Sequence, residues 1–152
     1  MAALVRQLLY VSQATTAMTT EDCESILSVA RECNKRDGIT GFLAYLPNGT
    51  IIQVLEGDSD AVSRTYKRIS NDHRHTHVTT IIDTEGEPRL FSKWFMGFRM
   101  LEQSEVAMLP DFFNLRRGGV PRFLDGTPIA IKVLKTIFVA NTTYDYGFRS
   151  LK

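Results

Sequence analysis

The stretch ITGFLAYLPNGTIIQVLEG, residues 39–57, decides the fold. Its two apolar runs, residues 39–46 and 50–56, flank Pro47-Asn48-Gly49, and an Asn-Gly pair supplies the positive φ that a tight hairpin turn demands. The stretch therefore reads as two antiparallel strands. Gln53 is a polar residue inside the second strand. If it points inward its amide must be bonded, because an unsatisfied buried amide costs about 1–3 kcal/mol.

On the N-terminal side, residues 4–12 form an apolar run that predicts a buried first strand ending near Tyr10 and Ser12. Cys23, Ile26, Leu27, Ala30 and Cys33 then recur at helical spacing, with Thr19 and Asp22 placed as a capping box. A helix over 20–34 follows, with Asn34 at its end and Gly38 as its stop. On the C-terminal side, Asp58 or Ser59 is expected to cap a second helix with Val62, Thr65, Tyr66 and Ile69 on its inward face. Strands are predicted over 78–83 and, after a turn at Gly86 and Pro88, over 94–101.

The order βαββαββ calls for one sheet with two helices across a single face, a ferredoxin-like α+β sandwich. Residues 1–100 are expected to form this domain and residues 101–152 a C-terminal helical cap or output segment. There, Ala130, Val133, Leu134, Ile137 and Phe138 make one apolar stripe. That stripe is expected to pack on the sheet face opposite the helices, which would otherwise leave apolar surface in water.

The chain has 152 residues, 43% hydrophobic and 23% charged, enough for one sizeable core and too apolar for disorder. A net charge of +1 implies no global attraction to nucleic acid or acidic membranes. No segment approaches the roughly 20 apolar residues of a membrane span, and the N-terminal run, broken by Arg6 and Gln7, does not read as a signal peptide. Cys23 and Cys33 offer neither a metal spacing nor a disulfide framework. A cytoplasmic protein is expected.

Three sets of residues could carry chemistry. Tyr10, Asn34 and Gln53 form a polar trio at a strand end, a helix end and mid-strand. Arg68, Asp72, Arg74 and His75 gather at the end of the second helix, where they could meet an anionic or hydroxyl-rich ligand or simply face water. His73, His75 and His77 would share one face of an ideal strand, yet no Cys or Glu partner stands nearby, so no metal site is assigned. Glu56-Gly57 reads as a strand-terminating turn. Nucleophile, phosphate-loop and dinucleotide motifs are absent, and no catalytic residue is assigned.

The segments Leu9-Tyr10-Val11-Ser12-Gln13, Asn34 with Asp37-Gly38-Ile39-Thr40-Gly41, Gln53-Val54-Leu55-Glu56-Gly57, Arg68-Ile69 with Asp72-His73-Arg74-His75, and Trp94-Phe95-Met96 closely resemble, in order, the BLUF family of blue-light sensors using FAD. The resemblance implies a photoreceptor, not an enzyme, that holds FAD non-covalently, or FMN or riboflavin in its place. It implies Ile26 and Ile69 as apolar walls on either side of the ring, positions that helical spacing places in the core in any case. Asn34 would sit at the ring's polar edge, and Arg68, Asp72, Arg74 and His75 toward the ribityl and phosphate end, with Tyr10, Ser12 and Gln53 completing the contacts. Tyr10 and Gln53 would be the photochemical pair, and Trp94 and Met96 the output residues. Phe95 departs from the small polar residue common between them.

Residues 101–152 read as too short for a cyclase, phosphodiesterase or DNA-binding output domain, so a downstream protein partner and a homo-oligomer are expected. The alternatives are a flavin-free ferredoxin-like interaction module and a metal-binding module on the histidine strand.

Overall fold

The computed structural model of the chain describes residues 4–100. The predicted segment 101–152, with its apolar stripe, lies outside the described residues. The elements run β1 (Val5–Ala14), α1 (Thr20–Asp37), β2 (Thr40–Tyr45), β3 (Thr50–Gly57), α2 (Ser59–Ser70), β4 (His75–Glu87) and β5 (Gly97–Met100). They form one sheet in the order β4-β1-β3-β2-β5, antiparallel except for the β2–β5 pair. This is the expected ferredoxin-like arrangement with one added edge strand.

Local signals account for most boundaries. The Thr19 hydroxyl accepts from the Asp22 amide at 3.1 Å while the Thr19 amide donates to the Asp22 carboxylate at 2.9 Å, the reciprocal capping box. α1 runs one turn further than predicted and ends at Gly38, whose φ of 71° closes the helix in the left-handed conformation. Asn34 therefore lies in the last turn, not at the helix end. Asp58 holds the N-cap position of α2, but its side chain makes no capping bond.

Two strands depart from prediction. β4 is thirteen residues long because β1 offers it a partner from Val5 to Ala14, with bulges absorbing the mismatch. β5 begins only at Gly97, leaving Trp94 and Met96 ahead of the strand. The cause is a tertiary contact: α1 claims the carbonyls of Phe95 and Met96, through Asn34 Nδ2 at 2.6 Å and Arg31 Nε at 2.9 Å.

Alternation along the central strands separates two faces. Leu8, Tyr10, Ile51 and Leu55 join Cys23, Leu27, Ala61 and Val62 in the core beneath the helices. Leu9, Val11, Ile52 and Val54 are also buried but point to the other face, as the pairs Leu9–Val54 and Tyr10–Gln53 require. Gly41 lets β2 and β3 approach: a Cβ there would sit 1.9 Å from the Val54 carbonyl oxygen.

Candidate functional site

Between α1 and α2 two cavities, of about 460 and 110 Å³, share Ile26, Ala30, Gln53, Ile69, Asp72 and Arg74 as walls. The larger lies within the roughly 300–1,000 Å³ usual for small-molecule sites. Asn34, Thr65 and Arg68 line it alone, whereas Tyr10, Met18, Leu43 and Phe98 line only the smaller. Gln53, Asp72 and Arg74 are thus polar walls common to both cavities, while Tyr10 and His75 are polar walls of the smaller alone. Ile26 and Ile69 are half-buried cleft walls; Ile69 still packs against the core, whereas Ile26, which helical spacing also placed there, does not join it. A cleft left open between two helices keeps their facing side chains partly exposed.

Gln53 is fixed by its neighbours on the sheet. β1 and β3 pair Tyr10 directly with Gln53, and the Tyr10 hydroxyl donates a short hydrogen bond to Gln53 Oε1. Because that donor takes the carbonyl oxygen, Gln53 Nε2 turns to Met96 Sδ at 3.3 Å, a weak acceptor. Burial, followed by the fields of Tyr66 and Asp72, pushes the Tyr10 phenol well above its ordinary pKa. Tyr10 is therefore neutral and a donor across the physiological range.

The remaining predicted residues divide. Asn34 is buried on the wall of the larger cavity, with Nδ2 donating to the Phe95 carbonyl. Asp72 and Arg74 line both cavities and form an ion pair, Arg74 Nε lying 2.9 Å from Asp72 Oδ1. The Arg74 guanidinium, bonded to it, lowers the Asp72 carboxyl to about 2. Ser12 lines neither cavity. Its hydroxyl meets His75 Nδ1 at 2.8 Å, and since a carbonyl only accepts, His75 Nε2 donates to the Ile69 oxygen at 2.6 Å. His75 thus braces Ile69 against β1 while lining the smaller cavity.

The three histidines do not share a face. His73 precedes the strand, His75 is bonded to Ser12, and His77 sits at φ 55°, which breaks the alternation. No cluster of metal-ligating side chains occurs among the described residues. The pair Trp94 and Met96 is split by the sheet. Met96 is fully buried at Gln53, whereas Trp94 is half-buried against Phe42 and Phe91, with ring centroids at 5.7 and 6.2 Å.

Sequence reasoning underrated four residues. Glu56 is no mere turn residue: it is fully buried and accepts from Gln7, Thr40 and the amides of Leu90 and Phe91. Arg89 beside it reaches the Gly38 carbonyl at 2.9 Å. Tyr66 packs on Tyr10 with ring centroids 5.4 Å apart, and Thr65 lines the larger cavity. Only the inward spacing of the last two was visible in the sequence.

The fold and cleft define a small ferredoxin-like module with a cleft between its two helices, walled by Ile26 and Ile69 and reached by the amides of Asn34 and Gln53. A family model described as BLUF, sensors of blue-light using FAD, matches residues 5–97, and the chain belongs to that family. Photoactivated adenylate cyclase subunit beta of Euglena gracilis is 42% identical over 88 residues, covering 57% of this chain and 10% of that protein. The chain spans about a tenth of the length of the curated relatives it matches. BlrB, a BLUF protein in its dark state, superposes with TM-score 0.71 at 26% identity, over 92% of this chain and 98% of that one. A bacterial light-regulated adenylyl cyclase gives 0.60 at 26% identity, over 90% of this chain and 34% of that one. The matched region is a sensor module and not a catalytic domain. No helix among the described residues is long and apolar enough to cross a membrane.

Proposed function

We propose that residues 1–100 form a photosensor in which light rearranges the hydrogen bonds of Gln53, and that residues 94–100 carry this change to a protein partner or an oligomer interface. The observation that carries the reading is the Tyr10–Gln53 hydrogen bond beside a cleft walled by Ile26 and Ile69. The cleft's donor set fits a flavin: apolar flanks for a planar ring, amides of Asn34 and Gln53 for its polar edge, and Arg68, Asp72 and Arg74 for a ribityl chain or phosphate. FAD fits this arrangement, as would FMN or riboflavin.

The flavin, when bound, supplies the light absorption and accepts an electron when excited. Tyr10 would give up the electron and, through the Gln53 amide that its hydroxyl is bonded to, its proton. Both would then return to Tyr10, leaving the Gln53 amide free to settle with its donor and acceptor ends exchanged. An amide can do this because it carries both functions, which an ionised carboxylate does not. Exchange removes the Nε2 contact with Met96, whose carbonyl is held by Arg31. Met96 and the neighbouring Trp94 are thus positioned to report the amide's state to the opposite face.

The aliphatic far face, including Leu9, Val11, Ile52 and Val54, is the surface on which we expect the stripe of residues 130–138 to pack. A truncation after Met100 is expected to lose stability or associate; a soluble monomer of unchanged stability would reject that packing.

The test is the visible absorption spectrum of the full chain with added flavin, in the dark and after blue light. A flavin spectrum that shifts slightly to the red and recovers in darkness is expected. Tyr10→Phe and Gln53→Leu should each keep the flavin and lose the shift. A protein that stays colourless would favour a flavin-free interaction module.

A further inference from the structure

We infer that Thr65 is a further flavin-binding residue, one whose hydroxyl meets the hydrogen-bonding edge of the ring beside Asn34 and Gln53; this rests on the flavin reading above. Thr65 is 2% exposed, and its Oγ1 has no hydrogen-bond partner. A threonine within a helix ordinarily satisfies its hydroxyl on the carbonyl four residues back. Thr65 makes no such bond to Ala61. A buried hydroxyl without a partner costs about 1–3 kcal/mol, so it persists where something else supplies the bond.

The surroundings say what that partner is. Thr65 lines the larger cavity with Asn34, Gln53 and Arg68, and is absent from the walls of the smaller one, where Met18, Leu43 and Phe98 stand. Among the described residues, the one other buried side-chain atom without a partner belongs to Thr84, which lines neither cavity. A ligand held between Ile26 and Ile69 would therefore meet the hydrogen-bonding side chains of Asn34, Gln53 and Thr65 in the larger cavity. A flavin ring has atoms suited to them, two carbonyls flanking an N–H at one edge. A hydroxyl both donates and accepts, so it suits either group on that edge.

A group that exists for a ligand and not for the fold has a signature of opposite signs. Thr65→Val keeps the shape and removes the orphan. Full-length apoprotein carrying Thr65→Val should melt at a higher temperature than the parent, while its affinity for riboflavin, measured by fluorescence quenching, falls about 5- to 10-fold, the value of one ordinary hydrogen bond. Riboflavin is the probe because it lacks the phosphate that Arg68 and Arg74 could hold. Thr65→Ser, which retains the hydroxyl, should bind within about 2-fold of the parent.

Equal riboflavin affinity in the parent and Thr65→Val would overturn the inference and leave the flavin reading intact. So would a fall in apoprotein stability alongside the fall in affinity, since that marks a structural threonine. If Thr65→Val does not yield folded protein, Thr65→Ala against Thr65→Ser makes the same comparison. A parent protein that binds neither riboflavin nor FAD would instead overturn the functional reading itself.

Discussion

The face of the sheet beneath α1 and α2 and the face turned away from them are built from alternate residues of the same strands, yet they are finished to different standards. Along β3, Ile52, Val54 and Glu56 face away and are closed: the aliphatics are 1–2% exposed, and the Glu56 carboxylate receives four donors. Ile51, Gln53 and Leu55 face the helices, where two cavities remain, Ile26 and Ile69 are only half-buried, and the Thr65 hydroxyl lacks a partner. The closed face holds the fold together. The open face keeps the room and unspent hydrogen-bonding capacity that a ligand can use.

This comparison breaks first at Glu56. Glu56→Ala strands four donors in a dry site and should cost about 3–5 kcal/mol in urea unfolding. A loss below about 1 kcal/mol would mean that the closed face is not what stabilises the domain.

The aliphatic residues sharpen the same contrast. Ile52→Ala should cost about 2–5 kcal/mol, as a cavity in a packed core does. Ile26→Ala, on the cleft wall, should cost less than about 1 kcal/mol of apoprotein stability and instead weaken flavin binding. Equal losses of stability at the two isoleucines would erase the distinction between the faces.

The smallest effect concerns Asp72, at the mouth of the open face. Its folded pKa is depressed, so the stability it confers is present above the unfolded value of about 3.9 and is lost as pH falls toward about 2. The partner Arg74 is 54% exposed, so solvent screening keeps this contribution below about 1 kcal/mol. The melting temperature of the parent should therefore drop more between pH 5 and pH 2 than that of Asp72→Asn. Parallel profiles would show that the ion pair contributes nothing to the fold.

What could be read along the chain was what is decided by neighbours in the chain. The Thr19–Asp22 capping box and the Gly38 stop depend on contacts within a few residues, and both appear as predicted. The pairing of Tyr10 with Gln53 was legible as a family pattern, and strand register then brings the two together. The Glu56 site was illegible because its donors lie 16 to 49 residues away, and nothing in Val54-Leu55-Glu56-Gly57 announces them. The same holds for the late start of β5, whose upstream carbonyls are taken by Asn34 and Arg31 from 61 and 65 residues away.

By itself, then, the sequence determined the element order, the hairpin, the helix ends and the family, because periodicity, capping and turn chemistry are local and the family's motifs stand in fixed order. The tertiary structure alone decided which atoms those residues expose to one another. It turned Met96 toward Gln53 and Trp94 away, bound Ser12 to His75, and left the hydroxyl of Thr65, a residue of the cavity wall, buried with nothing to bond. These outcomes turn on ångström-scale distances between segments remote in the chain, and a residue's type fixes only what it can bond, never what it meets.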